Sequence, residues 1–227
     1  MKVAIYGKTP EKKAELFKAV RNAGFIYDEK KPDIVISYGG DGTFLWAERK
    51  YPGIPKALFR YSTICKKCHN LPIEHALTLI KKEKYRIAEH TKLQAKIGKT
   101  ILIGTNDIII RNAMPTHAIR FIIRINGKQI DGEFIGDGIV AATPFGSTAY
   151  FHSITRTTFK KGIGMAFNNT TIAKKPMFLP EKTRIQFALK RGEAFVVADN
   201  EPRTIILTPG KKITITASTK KARIIEF

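Results

Sequence analysis

Apolar positions change their spacing along this chain, and each change predicts a different element. Val3, Ala4 and Ile5 form a short run within residues 2–6 that reads as a strand. Over 10–22, Ala14, Phe17 and Val20 recur at helical spacing, and Gly24 stops the pattern. Asp33-Ile34-Val35-Ile36-Ser37 is apolar at almost every position, as expected of a parallel strand covered on both faces. A glycine turn follows, and then a helix is predicted from Thr43 to about Lys50. "IPKALF" reads as a third strand, and "PIEHALTLIKKE" as a helix with Pro72 in its first turn. Strand and helix thus alternate through the first third, which predicts a small parallel α/β unit.

The pattern changes near Tyr85. From there to Val140, Ile, Thr and Phe gather in short runs, and "AIRFIIRINGKQIDGEFIG" is two such runs joined at Asn126-Gly127, a strong hairpin signal. After an interruption at 143–160, "TRIQFALK", "AFVVAD", "RTIILT" and "KITITA" again read as strands. The expected architecture is an α/β N-terminal domain over 1–84 plus a mainly antiparallel β C-terminal domain over 85–217. The apolar ending "IIEF" suggests that 218–227 returns to complete the first domain.

Composition narrows the class. A chain of 227 residues can hold one large domain or two small ones with cores of their own. No apolar stretch approaches the roughly 20 residues that cross a bilayer. "MKVAIYGKTPEKKAEL" lacks the form of a signal peptide, so a cytoplasmic protein without a membrane partner is expected. The formal charge of +21, from 40 Lys plus Arg against 19 Asp plus Glu, raises nucleic acid, membrane surface and phosphorylated substrate as partners. The lysines are scattered in twos rather than gathered in a block. That favours a solvated basic surface over a nucleic-acid face. Cys65 and Cys68 lie together in "TICKKCHN", yet there is no second Cys pair, and His75, His90, His117 and His152 show no ligand spacing. A surface dithiol, or a pair joined only in some conditions, is expected rather than a metal site.

Three stretches carry candidate chemistry. "YGKT" at 6–9 and "IGKT" at 97–100 are not among them, because a P-loop needs a glycine five residues before its Gly-Lys; the second fragment has Leu93 there, and the first begins too early. Gly39-Gly40-Asp41-Gly42-Thr43 does not fit the dinucleotide pattern G-x-G-x-x-G either. It is a strand, a glycine turn and a helix, which lets backbone N–H groups and a helix N-terminus converge on an anion. Asp41 would repel a phosphate unless Mg²⁺ mediates, or unless it takes a proton from an attacking hydroxyl. A plain tight turn is the alternative. Asn106-Asp107 is either a turn or a pair in which Asp grips a ribose diol while Asn reads an adenine edge. In "GDGIVAATPFGSTAYFHS", a strand ends at Ala142 and Gly146-Ser147-Thr148 opens a helix; the hydroxyls serve an anion or nucleotide site, or simply cap.

In this order "GGDGT", "ND" and "DGIVAATPFGSTAY" resemble the motif set of the NAD kinases, with weaker likeness at "LPEKTRIQF" and "VVADNE". The resemblance implies the two-domain fold already expected. It also implies transfer of the terminal phosphoryl group of ATP, or of polyphosphate in some members, to the adenosine 2′-hydroxyl of NAD. Asp41 would then be the base. Gly39, Gly40, Gly42 and Thr43 would form the loop around the donor phosphates, and Asn106 and Asp107 would hold the adenosine and ribose. Asp137, Thr148, Ala149, Tyr150, Ser153, Ala173 and Asn200 would line the dinucleotide site. Mg²⁺ or another divalent cation would arrive with ATP, held by its phosphates rather than by protein ligands, and the chain would form a homo-oligomer, dimer or tetramer. Two regions depart from the family: 57–72 lacks its N-x-G-x-x-G-F-L glycines, and 154–165 lacks its Gly-Gly-Pro. The alternatives are a sugar or lipid kinase of the same superfamily, and a non-catalytic nucleotide- or nucleic-acid-binding protein.

Overall fold

The computed structural model describes residues 1–7, 10–60 and 67–227. They fall into two units, Met1–His90 with Lys221–Phe227, and Thr91–Lys220. The first contains β1 (Lys2–Gly7), α1 (Pro10–Asn22), β2 (Ile26–Tyr27), β3 (Ile34–Gly39), α2 (Asp41–Lys50), β4 (Lys56–Arg60) and α3 (Ile73–Lys81). β1 lies between β2 and β3, and β4 continues beyond β3, all parallel. Val3, Ile5, Ile34 and Ile36 enter one core with Val20 and Leu77, while Ala4 and Val35 enter a second with Ala47 and Tyr51. Alternate side chains thus fill cores on opposite faces, which is why these strands are apolar throughout.

Two helix starts differ from the sequence expectation. α2 begins at Asp41 rather than Thr43, because extended Gly40 (φ −115°) acts as its N-cap and its carbonyl accepts from the N–H groups of Thr43 and Phe44. An acidic residue in this first turn also suits the helix dipole. Pro72, expected inside the first turn of α3, instead precedes it as the extended N-cap (ψ 140°).

Buried charge joins α2 to β4. Lys56 is fully buried, and its ammonium donates to Glu48 Oε2 and to the Tyr51 carbonyl; the Gly53 N–H donates to Glu48 Oε1 at 3.2 Å. The unit is completed from the far end of the sequence. Ile224 pairs in parallel with Lys56, and His69 Nε2–H donates to the Ile225 carbonyl at 2.7 Å. The Phe227 ring packs 4.8 Å from that of His69.

The second unit runs through β5 (Arg86–Ile97, whose first five residues belong to the first unit), β6 (Thr100–Gly104), β7 (Asp107–Asn112), β8 (Ile119–Ile125), β9 (Lys128–Gly136) and β10 (Gly138–Ala142). A 3₁₀ turn at Phe145–Thr148 and α4 (Tyr150–Thr155) interrupt the strands, as the break at 143–160 predicted. Then follow β11 (Ile163–Asn168), β12 (Met177–Leu179), β13 (Ile185–Arg191), β14 (Ala194–Ala198), β15 (Ile205–Leu207) and β16 (Lys212–Glu226), whose last residues lie in the first unit. One antiparallel sheet has the order β12-β11-β10-β7-β14-β15. Against its inner face, Ile108, Ile110, Ile139 and Ala141 share a core with Phe121, Ile123, Phe187 and Ile213 from β8, β13 and β16. The hairpin predicted at Asn126-Gly127 joins β8 to β9, with both residues at positive φ (51° and 86°) as a tight hairpin turn requires. "IGKT" proves to be the turn between β5 and β6, with Ile97 opposite Thr100. Among the described residues no helix is long and apolar enough to cross a membrane.

Candidate active site

The order β2-β1-β3 means that the chain leaves β1 in one direction and then crosses to its other side. Open α/β sheets hold ligands where the order reverses, outside the carboxyl ends of the strands. Those ends are Gly7 and Gly39, with Gly7 paired to Tyr38, so the Gly39–Thr43 stretch starts at the switch point. Its glycines differ in their reasons for being there. A Cβ on Gly39 would stand 2.1 Å from Thr43 Oγ1, so the return of the Thr43 side chain over the strand end excludes any larger residue. A Cβ on Gly40 would meet nothing within 4 Å. Asp41 follows, half-buried at the first residue of α2 with Gly42 next to it. Cys68 is disulfide-bonded, and its Sγ lies 3.7 Å from the Gly39 carbonyl oxygen; Cys65 lies outside the described residues.

In the second unit, Thr105 and Asn106 turn the chain from β6 into Asp107, the first residue of β7, and all three residues are buried. Asp199, at the end of β14, accepts all three of their N–H groups: Thr105 at 2.7 Å on Oδ2, Asn106 at 2.7 Å and Asp107 at 3.1 Å on Oδ1. The Asp199 N–H returns a bond to the Asp107 carbonyl at 3.1 Å. On another side the Thr143 hydroxyl donates to the Thr105 carbonyl at 2.6 Å and accepts from the Gly146 N–H at 2.9 Å, while the Thr143 N–H donates to the Asn106 carbonyl at 2.8 Å. A Cβ on Gly146 would lie 2.1 Å from that carbonyl oxygen, so this glycine is what lets the two segments touch.

Asp137 stands elsewhere on the same strands. Asp107 pairs with Ala142, whereas Gly138, next to Asp137, pairs with Arg111; four residues of ladder, about 13 Å, separate these two ends. Asp137 accepts from Asn112 Nδ2 at 3.3 Å and Asn169 Nδ2 at 3.2 Å, and its N–H donates to the Asn168 carbonyl. The Asn168 side chain in turn donates to the Tyr150 hydroxyl at 3.3 Å. Asp137 and Tyr150 are therefore joined through one asparagine.

Of the two readings of Gly146-Ser147-Thr148, the helix capped by a Ser or Thr hydroxyl is not formed. Pro144 leads into the 3₁₀ turn, Ser147 Oγ donates back to the Pro144 carbonyl at 2.8 Å, and α4 starts only at Tyr150 with Ala149 as a capless N-cap. The hydroxyl finds a local carbonyl acceptor, so it does not cap a helix. Thr148 is exposed, Ser153 is exposed with its hydroxyl on the Tyr150 carbonyl at 2.8 Å, and Ala173 is exposed between β11 and β12. Asn200 follows Asp199, which has a positive φ of 50°.

A family model of the ATP-NAD kinase C-terminal domain matches residues 105–227. Over the whole chain, an NAD kinase of Sulfurisphaera tokodaii is 33% identical across 242 aligned positions, 100% of this chain and 96% of that protein. The chain belongs to the NAD kinase family. An NAD kinase of Saccharolobus islandicus is 28% identical, also over 100% of the chain and 94% of its own length. The fold is that of the NAD kinase from Archaeoglobus fulgidus solved in complex with ATP, with a TM-score of 0.86 at 20% identity, covering 100% of this chain and 94% of that one. It is likewise the fold of yeast NADH kinase complexed with NADH, with a TM-score of 0.89 at 17% identity over 100% and 83%. The family and the two-part fold implied by the motifs are therefore correct.

Several polar residues that organise this NAD kinase fold carry little signal in the sequence. Asp199 was masked by its neighbour Asn200, although an Asp closing an apolar strand is a recognisable turn signal. Thr143 sits before a Pro and reads as a strand end. Asn112, Asn168 and Asn169 carry no local pattern, and only strand pairing brings them to Asp137 and Tyr150.

Proposed function

We propose that this chain acts as an NAD kinase through Asp41, which takes the proton of the adenosine 2′-hydroxyl as that oxygen attacks the terminal phosphorus of ATP. The new O–P bond forms as the bridging O–P bond breaks, so NADP and ADP result and the proton passes to the carboxylate. The observation that carries this reading is the Gly39–Thr43 junction at the switch point, on a chain that matches NAD kinases from end to end. Gly40, with open space before it, admits the donor phosphates beside Gly39, Gly42 and Thr43 and the positive end of α2.

Asn106 and Asp107 hold the adenosine, with the ribose diol on the carboxylate. Asp137, Thr148, Ala149, Tyr150 and Ser153 line the dinucleotide site, with Ala173 and Asn200 as its neighbours. Among the described residues no group of three or more His, Cys, Asp and Glu is placed to hold a metal. In this reading Mg²⁺ would enter on the ATP phosphates and neutralise their charge. Positioning and general-base help are what the chain itself supplies, and the latter is typically worth about 10²–10⁴-fold.

Purified protein with NAD, ATP and Mg²⁺ is expected to form NADP, and Asp41→Asn to lower the rate at least about a hundredfold while NAD still binds. An Asp41→Asn enzyme of undiminished rate would remove Asp41 from the mechanism.

A further inference from the structure

Three successive backbone N–H groups converging on one point make a concavity that ordinarily binds an anion. In the turn between β6 and β7 the anion is the chain's own: both oxygens of Asp199 are spent on Thr105, Asn106 and Asp107. The residues so held include the two whose side chains are assigned to the adenosine. We propose that Asp199 is a positioning residue for the acceptor nucleoside, one that sets the directions in which Asn106 and Asp107 leave the backbone. This rests on the NAD kinase reading above.

The geometry holds the turn from more than one side. Asp199 holds a left-handed backbone conformation (φ 50°), which few side chains tolerate and which aspartate adopts more readily than most. Its own N–H bonds the Asp107 carbonyl at 3.1 Å, so carboxylate and backbone grip the turn together. Gly104 leaves the space this needs, since a Cβ there would stand 2.3 Å from the Asp107 carbonyl oxygen and 3.3 Å from Asp199 Oδ1. The same residue leads directly into Asn200, also assigned to the nucleotide. One carboxylate therefore fixes two segments distant in sequence against the same ligand. It further keeps the concavity filled, so that the turn meets the nucleoside with its side chains rather than drawing a phosphate to its N–H groups.

Asp199→Asn tests this, because the carboxamide replaces one acceptor oxygen with a donor that faces backbone N–H groups. Initial rates with NAD and ATP varied separately should show the KM for NAD raised about tenfold or more, as expected for a displaced positioning group, with the KM for ATP within about twofold. A variant that only lost folded population would show a lower kcat with both KM values unchanged, and that result would overturn the proposal. If Asp199→Asn does not fold, amide hydrogen exchange on the wild type decides. The Thr105, Asn106 and Asp107 amides should be protected before NAD is added; exchange at the rate of an open loop, slowed only by NAD, would overturn it. Wild type that neither binds NAD nor forms NADP would instead defeat the kinase reading, a distinguishable outcome.

Discussion

A methyl group added at Gly39 would run into Thr43, while one added at Gly40 meets open space. Neighbouring glycines with the same letter in the sequence thus answer to different constraints, one from the fold and one from the proposed donor. Gly39→Ala is expected to destabilise by about 1–3 kcal/mol through overpacking, visible as a lower midpoint in urea. Gly40→Ala should stay within about 1 kcal/mol of wild type, as for an exchange at a helix cap with room for a methyl group, yet raise the KM for ATP. Equal stability losses from the two would mean that Gly40 is held by the fold as well. The motif letters marked this stretch, but not which glycine served which purpose, because that depends on where the Thr43 side chain turns.

Elements of the first unit are tied by ion pairs of very different worth. Glu48 of α2 and Lys56 of β4 are almost wholly buried, so removing one partner strands a charge out of water. Glu48→Gln or Lys56→Met is expected to cost about 3–5 kcal/mol in equilibrium unfolding; a loss below about 1 kcal/mol would show that water reaches the site. Glu29, after β2, accepts from Lys13 of α1 at 2.7 Å and from the Tyr27 hydroxyl, and chiefly the Lys13 bond holds its carboxyl down at about 2. A depressed carboxylate stabilises fully above its ordinary value of 4.5 and loses that contribution as the pH falls toward 2. The urea midpoint should therefore drop between pH 5 and pH 2.5 more steeply in the wild type than in Glu29→Gln; identical slopes would count against the pairing. Of this layer the sequence disclosed most strands and helices, through period and through Asn126-Gly127, but not the short β2 and β12 or the glycine-interrupted β11. It did not disclose Lys56 as buried, since a lysine at a strand start reads as solvated until Glu48 is placed beside it.

At the scale of the molecule, the first unit depends on residues that follow the second. Ile225 is fully buried in its core and Ile224 nearly so, and His69 bonds the Ile225 carbonyl. Deleting 221–227 removes two buried isoleucines, each worth about 2–5 kcal/mol. Limited proteolysis of that variant should cut within 1–90 far faster than in the full chain while 91–220 resists; equal resistance would show that the first unit stands without its last strand. The alternation of strand and helix, then of strand and turn, was enough to forecast two regions of different class. The pairing partners in each were not, because antiparallel and parallel neighbours are chosen by contacts far apart in the chain. Biosynthesis adds a consequence. The α/β half leaves the ribosome first, yet the segment that pairs with β4 is translated only after all of Thr91–Lys220. At roughly 5–20 residues per second, its sheet waits on the order of ten seconds with one strand missing. The half that carries Asp41 is therefore the first to be made and the last to be finished.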